Sequence, residues 1–165
     1  MAQRRAVLDP NVHVSAVISS KGYSAKLRVA WLAGRFELIV SPILLNELED
    51  VLKRPKFGLA TAEVAEYLDE LRGQTLIEDP PDRPAVSRDP DDDYLVALAQ
   101  AANADFLVSG DSDLTDLDGV HPPIVTPREF YESLTASSGP RPSTESSQEW
   151  VSADEGPRSS TPDQP

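Results

Sequence analysis

The stretch ADFLVSGDSDLTDLDG, residues 104–119, places four aspartates directly after a short apolar run. The run ADFLVS, residues 104–109, predicts a buried β-strand, because it is short, largely apolar and followed by turn-forming residues. Asp and Gly favour turns, so the acidic segment can be explained as an ordinary turn. Clustered carboxylates also bind hard divalent cations such as Mg²⁺ and Mn²⁺, which prefer oxygen ligands. A metal site at this turn requires further carboxylates from distant parts of the chain.

The composition predicts one compact domain followed by a segment of different character. The chain has 165 residues, of which 39% are hydrophobic, and this is enough for a single core. Residues 136–165 are dominated by Ser, Pro, Gly and acids, a composition that cannot offset the entropy of ordering by burial. We therefore expect a folded domain over residues 1–135 and a disordered tail over residues 136–165.

Several classes of site and location are disfavoured. The chain has no cysteine and two histidines, His13 and His121, which argues against disulfide, thiolate and zinc chemistry. No apolar run reaches the length of a membrane span or a secretory signal, so we expect a cytoplasmic protein with no membrane partner. The net charge of −13 opposes non-specific binding of nucleic acid, because a polyanion is attracted by clustered cations.

Predicted strands and helices alternate along the domain. The strands are expected at residues 5–8, 36–40, 104–109 and 123–126, and the helices at residues 23–33, 42–53, 61–72, 92–102 and from Pro127 onward. This alternation predicts a parallel sheet covered by helices on both faces. Ligands of such sheets bind beyond the carboxyl ends of the strands. Asp9 and Asp111 each follow a predicted strand, so we expect both at one edge of the sheet.

Two of the predicted helices supply further candidate acids. In the helix after Pro42, Glu47 lies at the border of the apolar face, although Glu49 lies at the opposite border and geometry does not separate them. In the helix from about residue 92, Asp92 lies nearer the apolar stripe than Asp93, which is expected to point away. Each acid also has a structural explanation, as a turn former, a helix cap or a solvated helix residue.

Five segments in a fixed order carry a resemblance: LDPNVHVSAV, SPILLNELEDVL, DPDDDYLVALA, FLVSGDSDLTDL and PIVTPREFYESL. Together they resemble a PIN-domain ribonuclease, of the kind found as the VapC-like toxin of bacterial toxin–antitoxin pairs. The resemblance covers nearly the whole folded domain and leaves out the tail. It implies an α/β/α sandwich with a central parallel sheet and a Mg²⁺- or Mn²⁺-dependent site that hydrolyses single-stranded RNA. It also implies a cognate antitoxin and a homodimer.

The resemblance assigns roles to individual residues. The family's catalytic, metal-binding acids correspond to Asp9, Glu47, Asp92 and Asp111, with Asp113 as an optional fifth ligand. Asn11 and Ser109 correspond to residues that orient ligands or water. One departure is Pro10, which stands where the family usually has Thr or Ser and therefore lacks a hydroxyl and a backbone N–H beside the expected metal.

The predicted RNA contacts and two alternative functions complete the sequence-based picture. The cations available for RNA are Lys21, Lys26, Arg28, Lys53, Arg54 and Lys56, each of which could equally be ordinary solvated surface. The first alternative is a catalytically weak domain of the same fold that binds RNA or protein, its site weakened by Pro10. The second is a metal-dependent nuclease acting on structured DNA, although the chain contains no long insertion to grip a duplex.

Overall fold

A computed structural model describes residues 3–82 and 92–137 of the chain. Residues 138–165 of the expected tail, and residues 83–91 of the predicted loop before residue 92, lie outside the described residues. The chain divides into two units, Met1–Tyr131 and Glu132–Pro165, and the sheet belongs to the first. In the part of the chain that is described, no helix combines the length and the apolar character needed to cross a membrane.

Strands and helices alternate through the described residues. The strands are β1 (Arg5–Leu8), β2 (Glu37–Val40), β3 (Thr75–Leu76), β4 (Phe106–Val108) and β5 (Ile124–Val125). The helices are α1 (Pro10–Ile18), α2 (Tyr23–Leu32), α3 (Pro42–Leu52), α4 (Thr61–Arg72), α5 (Asp93–Ala101), α6 (Ser112–Thr115) and α7 (Pro127–Ser137), with a 3₁₀ turn at Pro55–Phe57. The four predicted strands and five predicted helices are confirmed. The elements without a prediction are α1, α6, β3 and the 3₁₀ turn at Pro55–Phe57.

The sheet is parallel throughout, in the strand order β3-β2-β1-β4-β5. The central strand β1 pairs on both sides, with Val7 opposite Ile39 of β2 and Leu107 of β4. Three of its four residues are 0% exposed, as expected for a parallel strand covered on both faces. The predicted α/β fold is confirmed, and the carboxyl ends of the strands share one edge of the sheet.

Local sequence signals explain where two of the helices begin. The Ser41 hydroxyl accepts a hydrogen bond from a backbone N–H in the first turn of α3, and Pro42 occupies the first helical position. A cap of this kind stabilises a helix by about 1 kcal/mol. At α7, Thr126 and Glu129 exchange side-chain to backbone hydrogen bonds of 2.9 and 3.1 Å. This is the capping box that the sequence predicts.

A buried aromatic cluster joins α1, α2 and α4. The His13 Nδ1 lies 2.7 Å from the Tyr67 hydroxyl, and the Trp31 ring packs edge-on against the His13 ring at 5.6 Å. The His13 Nε2 and the Trp31 Nε1 are buried with no hydrogen-bond partner among the described residues. Burial lowers the pKa of His13 to about 3, so this ring is neutral at neutral pH. His13 is therefore a core residue.

Candidate functional site

Asp9 and Asp111 meet at the carboxyl edge of the sheet, and Ser109 joins them. Asp9 follows β1, and its backbone N–H donates to the Val108 carbonyl at the end of β4. The Ser109 hydroxyl donates to Asp9 Oδ2 at 2.9 Å, and the Ser109 oxygen accepts from the Asp111 N–H at 3.0 Å. The two acids are far apart in the chain, and the pairing of β1 with β4 brings them together.

The Asp9 carboxylate is buried, with only 4% of the residue exposed. Burial raises the pKa of Asp9 and the nearby Asp111 carboxylate adds to the rise, whereas hydrogen bonds from Asn11 and Ser109 lower it. A buried carboxylate beside a second one favours either a bound proton or a bound cation. The carboxylate oxygens of Asp9 and Asp111 are ligands of the type that a hard divalent cation prefers.

The N-terminus of α1 explains how Pro10 is accommodated. The Asp9 side chain caps this helix, because its Oδ1 accepts the Asn11 N–H at 2.9 Å. Pro10 occupies the first helical position, where a backbone N–H has no partner within the helix and its absence breaks no bond. The departure from the family pattern at this position therefore removes a hydroxyl without disturbing the helix.

Glu47 is held by a tyrosine that the sequence analysis did not single out. The Tyr94 hydroxyl donates to Glu47 Oε1 at 2.6 Å and so connects α5 to α3. Tyr94 is 3% exposed. Burial raises the pKa of Tyr94, as do the hydrogen bond to Glu47 and the charges of Asp9 and Asp79. The hydroxyl thus stays protonated among three carboxylates, one of which it orients.

The burial of the two acids at the start of α5 differs from the prediction. Asp92 immediately precedes the helix and is half-buried. Asp93, which we expected to point away from the core, is 6% exposed. That prediction was wrong because it assumed a single buried face, whereas every residue of α5 from Asp93 to Ala99 is buried. The nearly unbroken apolar run YLVALA was an available signal, since such a run is typical of a helix covered on all sides.

The expected acids are not gathered into one set of metal ligands. Within residues 3–82 and 92–137, no group of three Asp, Glu or His side chains is arranged to hold a metal ion. Asp113 lies in α6, and its backbone N–H donates to Asp111 Oδ1 at 2.9 Å. Asp79 is an acid that the sequence analysis missed. Its Oδ2 accepts the Ile43 N–H at 2.9 Å, and its Oδ1 is buried with no hydrogen-bond partner in the described chain.

A groove of about 410 Å³ opens beside Asp111. Its lining comes from α1, from the start of α2, from the turn after β4 and from the start of α7, and it consists of Asn11, Val12, Ser15, Ser24, Gly110, Asp111 and Pro127. This volume lies within the range of small-molecule sites. The groove gives access to Asp111, and the exposed Asn11 lies on its wall.

The cations expected to contact RNA occupy different environments. Arg28 donates from its Nη2 to both carboxylate oxygens of Glu70, at 3.1 and 2.9 Å, and its guanidinium stacks 4.8 Å from the Tyr67 ring centre. Lys53 forms an ion pair of 2.7 Å with Glu49. Arg28 is therefore occupied by contacts between α2 and α4. The remaining expected cations, Lys21, Lys26, Arg54 and Lys56, are exposed.

Comparison with known proteins adds three findings. A family model described as PIN domain matches residues 5–113, which is more than half of the chain. The uncharacterized protein MJ1680 of Methanocaldococcus jannaschii is 26% identical over 142 residues, covering 79% of this chain and 91% of that protein. A chain in the crystal structure of VapBC2 from Rickettsia felis, bound to a DNA fragment from their promoter, matches with a TM-score of 0.50 and 18% identity. That match covers 73% of this chain and 96% of the other, and it demonstrates a common fold.

Proposed function

This chain belongs to the PIN-domain family, and on that premise we propose that it is a metal-dependent endoribonuclease that cleaves single-stranded RNA. The observation that carries the proposal is the linked Asp9–Ser109–Asp111 arrangement at the carboxyl edge of the sheet. It keeps a buried carboxylate beside a second carboxylate, at the place where ligands bind in parallel α/β sheets. The groove beside Asp111 would admit the RNA strand.

The proposed cofactor is Mg²⁺ or Mn²⁺, which Asp9 and Asp111 would hold. Glu47, Asp92 and the optional Asp113 are the further ligands that the resemblance to the family implies. When bound, such an ion lowers the pKa of a water molecule and neutralises charge on the scissile phosphate. The side chains of the protein do the positioning: Ser109 orients the Asp9 carboxylate, and Tyr94 orients that of Glu47. The backbone N–H of Asn11 also contributes, since it donates to the second Asp9 oxygen.

We also infer that the protein acts in the cytoplasm as the toxin of a toxin–antitoxin pair. Its expected partners are a cognate antitoxin and a second copy of the chain. The similarity of fold to a chain of VapBC2 supports this inference. A small gene beside the one for this protein, encoding an antitoxin, is the expected genomic context.

The decisive experiment measures cleavage of a mixed single-stranded RNA pool in Mn²⁺, in Mg²⁺ and in EDTA. We expect metal-dependent cleavage by the natural protein and a loss of at least about 100-fold in Asp9→Asn, because the variant loses a charged ligand. The matched control is Asp118→Asn, which removes an exposed carboxylate from the same acidic turn as Asp111. Cleavage in EDTA, or full activity in Asp9→Asn, would contradict the proposal.

Stability measurements on Asp9→Asn distinguish a loss of catalysis from a loss of folding. The folded-state pKa of Asp9 is raised, so the ionised carboxylate opposes folding at neutral pH when no cation is present. Asp9→Asn removes that charge and keeps a residue suited to cap α1. We therefore expect the free energy of unfolding in EDTA to rise by ~0.5–2 kcal/mol, measured by urea denaturation. Lower stability would show that the variant had lost more than a charge.

The second candidate function is a PIN-fold module that binds RNA or protein with little catalysis. The observation that favours it is Pro10, which supplies no hydroxyl beside Asp9. Binding of RNA in Mn²⁺ without cleavage would support this candidate. Replacing Pro10 by Thr would then be expected to restore cleavage.

A further inference from the structure

Two tyrosines outside the acidic site face each other at the protein surface. Tyr23 begins α2, Tyr131 lies in α7, and both are partly exposed. Their ring centres are 5.9 Å apart, with the ring planes inclined by 57°. We call this pair the Tyr23–Tyr131 platform. Neither ring belongs to the buried aromatic cluster around His13, so the platform needs a separate explanation.

Three cations surround the platform. The Lys26 Nζ lies 4.9 Å from the Tyr23 ring centre and 5.5 Å from that of Tyr131. The Arg35 guanidinium lies 5.9 Å from the Tyr131 ring centre, and that of Arg128 lies 6.0 Å from the Tyr23 ring centre. A chain with a net charge of −13 thus gathers three positive groups at one place. Positive groups this close to partly exposed rings can contact the phosphates of a nucleic acid.

The platform lies beside the groove that leads to Asp111. Ser24 and Pro127 line that groove, and they are the sequence neighbours of Tyr23 and Arg128. Residues near the N-termini of α2 and α7 therefore contribute both to the groove that leads to the acidic site and to the platform. A chain molecule that occupied the groove could continue across the two rings.

We propose that the Tyr23–Tyr131 platform binds single-stranded RNA next to the acidic groove, with bases stacked on the two rings and phosphates held by Lys26, Arg35 and Arg128. Aromatic rings combined with cations are the surface that single-stranded nucleic acids require, because bases stack and phosphates need positive charge. The inference rests on the proposed function and deepens it, because it assigns the RNA-binding surface of that site. Of the cations expected from the sequence, it retains Lys26 and replaces Arg28 by Arg35 and Arg128.

The test measures binding of a short, fluorescently labelled single-stranded RNA by polarisation, in EDTA and over a range of salt concentrations. We expect Lys26→Gln and Arg128→Gln each to weaken binding several-fold, and to reduce the slope of log K against log salt by about one. Tyr23→Leu removes a stacking surface without changing charge, so we expect about tenfold weaker binding with the slope unchanged.

The matched control is Arg72→Gln, which removes the same charge from an exposed arginine in α4 that pairs with Asp69. We expect this control to bind RNA like the natural protein. A double-stranded RNA of the same length is expected to compete poorly, because its bases are not available for stacking. Unchanged binding in Tyr23→Leu, or an equal loss in Arg72→Gln, would overturn the platform as the binding surface. Circular dichroism of each variant checks that the fold is retained.

Binding in EDTA and cleavage in Mn²⁺ report on separate claims. RNA binding that depends on the platform, without any cleavage, would contradict the proposed nuclease activity and support the platform as the RNA-binding surface. Cleavage of RNA by the Tyr23, Lys26 and Arg128 variants with an unchanged Michaelis constant would instead support the proposed nuclease activity and overturn the platform as the RNA-binding surface. Absence of RNA binding by the natural protein would also overturn the platform.

Discussion

At the scale of single residues, the candidate site depends on side chains that orient acids. Tyr94 is the clearest case, because its buried hydroxyl donates to Glu47 and makes an acid of α3 part of the same neighbourhood as Asp9. Hydrogen bonds to charged groups contribute ~1.5–3 kcal/mol to stability. Tyr94 therefore has both a structural and a positioning role in the proposed site.

Replacing Tyr94 by Phe tests that role. We expect Tyr94→Phe to lower the free energy of unfolding by ~1–3 kcal/mol and to raise the Mn²⁺ concentration needed for half-maximal cleavage, because Glu47 is no longer held. In a double-mutant cycle with Glu47→Ala, which removes the acceptor, the stability losses should not add, since both changes remove the same hydrogen bond. Urea denaturation in EDTA measures the cycle without relying on activity.

The control for this experiment is Tyr67→Phe. Tyr67 is also buried and also uses its hydroxyl, which contacts His13, so its loss reports what any buried tyrosine hydroxyl contributes. We expect Tyr67→Phe to reduce stability and to leave the Mn²⁺ dependence unchanged. An identical Mn²⁺ dependence in Tyr94→Phe and the natural protein would show that the Tyr94 hydroxyl does not position Glu47 for metal binding.

At the scale of elements, the contact between α1, α2 and α4 makes folding sensitive to acid. His13 has a pKa of about 3 in the folded protein, below its usual 6.5, because burial opposes the charged ring. Between these two pH values the unfolded chain binds a proton at His13 that the folded chain does not bind. Stability therefore falls as the pH drops from about 6.5 toward 3, by up to about 1.4 kcal/mol per pH unit.

The substitution His13→Gln isolates this effect, because glutamine cannot be protonated in that range. We expect the free energy of unfolding of the variant to change less steeply with pH. Between pH 6 and pH 4 its slope against pH should be smaller by about 1.4 kcal/mol per pH unit, the contribution of one bound proton. The groups around His13 are the Tyr67 hydroxyl, the Trp31 ring and, beyond Tyr67, the Arg28–Glu70 ion pair.

The chain offers a matched control for His13→Gln in its other histidine. His121 is exposed in the loop before β5, so His121→Gln makes the same substitution outside the buried cluster. Urea denaturation at each pH provides the measurement. Equal slopes for the natural protein and His13→Gln would mean that His13 is protonated in the folded protein as readily as in the unfolded chain.

Also at the element scale, the periodicity of apolar residues predicted helices that have one buried face correctly. It mispredicted which residues are buried in α5, which has no single buried face. The borders of α3 and α4 were predicted well, because each has a polar side and clear end signals such as Ser41, Pro42 and Gly73. For α5 the same reasoning misplaced Asp93, since every residue of the helix from Asp93 to Ala99 is buried. The strand β3 has two residues, too few for an alternating pattern to indicate it.

At the scale of the whole molecule, the negative charge opposes the proposed binding of RNA. Residues 138–165 carry five acids and two arginines, a net charge of −3 out of the total of −13. Ending the chain after Ser137 therefore leaves a net charge of −10 and keeps every described element. Because the long-range attraction of a polyanion depends on the summed charge, the shortened chain should approach RNA more readily.

We expect the chain ending at Ser137 to unfold with the same free energy as the full chain, within ~0.5 kcal/mol. We expect it to bind single-stranded RNA up to several-fold more tightly at low salt. The difference should vanish at high salt, where charges are screened. Polarisation measurements at both salt concentrations provide the test. A large loss of stability would contradict the predicted domain boundary at residue 135.

The sequence by itself determined the class of fold and the meeting of Asp9 with Asp111. Alternating strands and helices require parallel strands, and parallel strands place the residues that follow them at a common edge. These consequences follow from local patterns, since strand character, helix caps and turn residues are each encoded within a few neighbouring positions.

Only the tertiary structure decided which side chains hold the acids. The hydrogen bond from Tyr94 to Glu47 joins residues 47 positions apart, and the ion pair that occupies Arg28 joins residues 42 positions apart. The burial of Asp93 likewise depends on how α5 packs in the folded protein, where all its residues from Asp93 to Ala99 are buried. Such contacts arise from the packing of whole elements against one another, and the periodicity of a single segment contains no information about its neighbours.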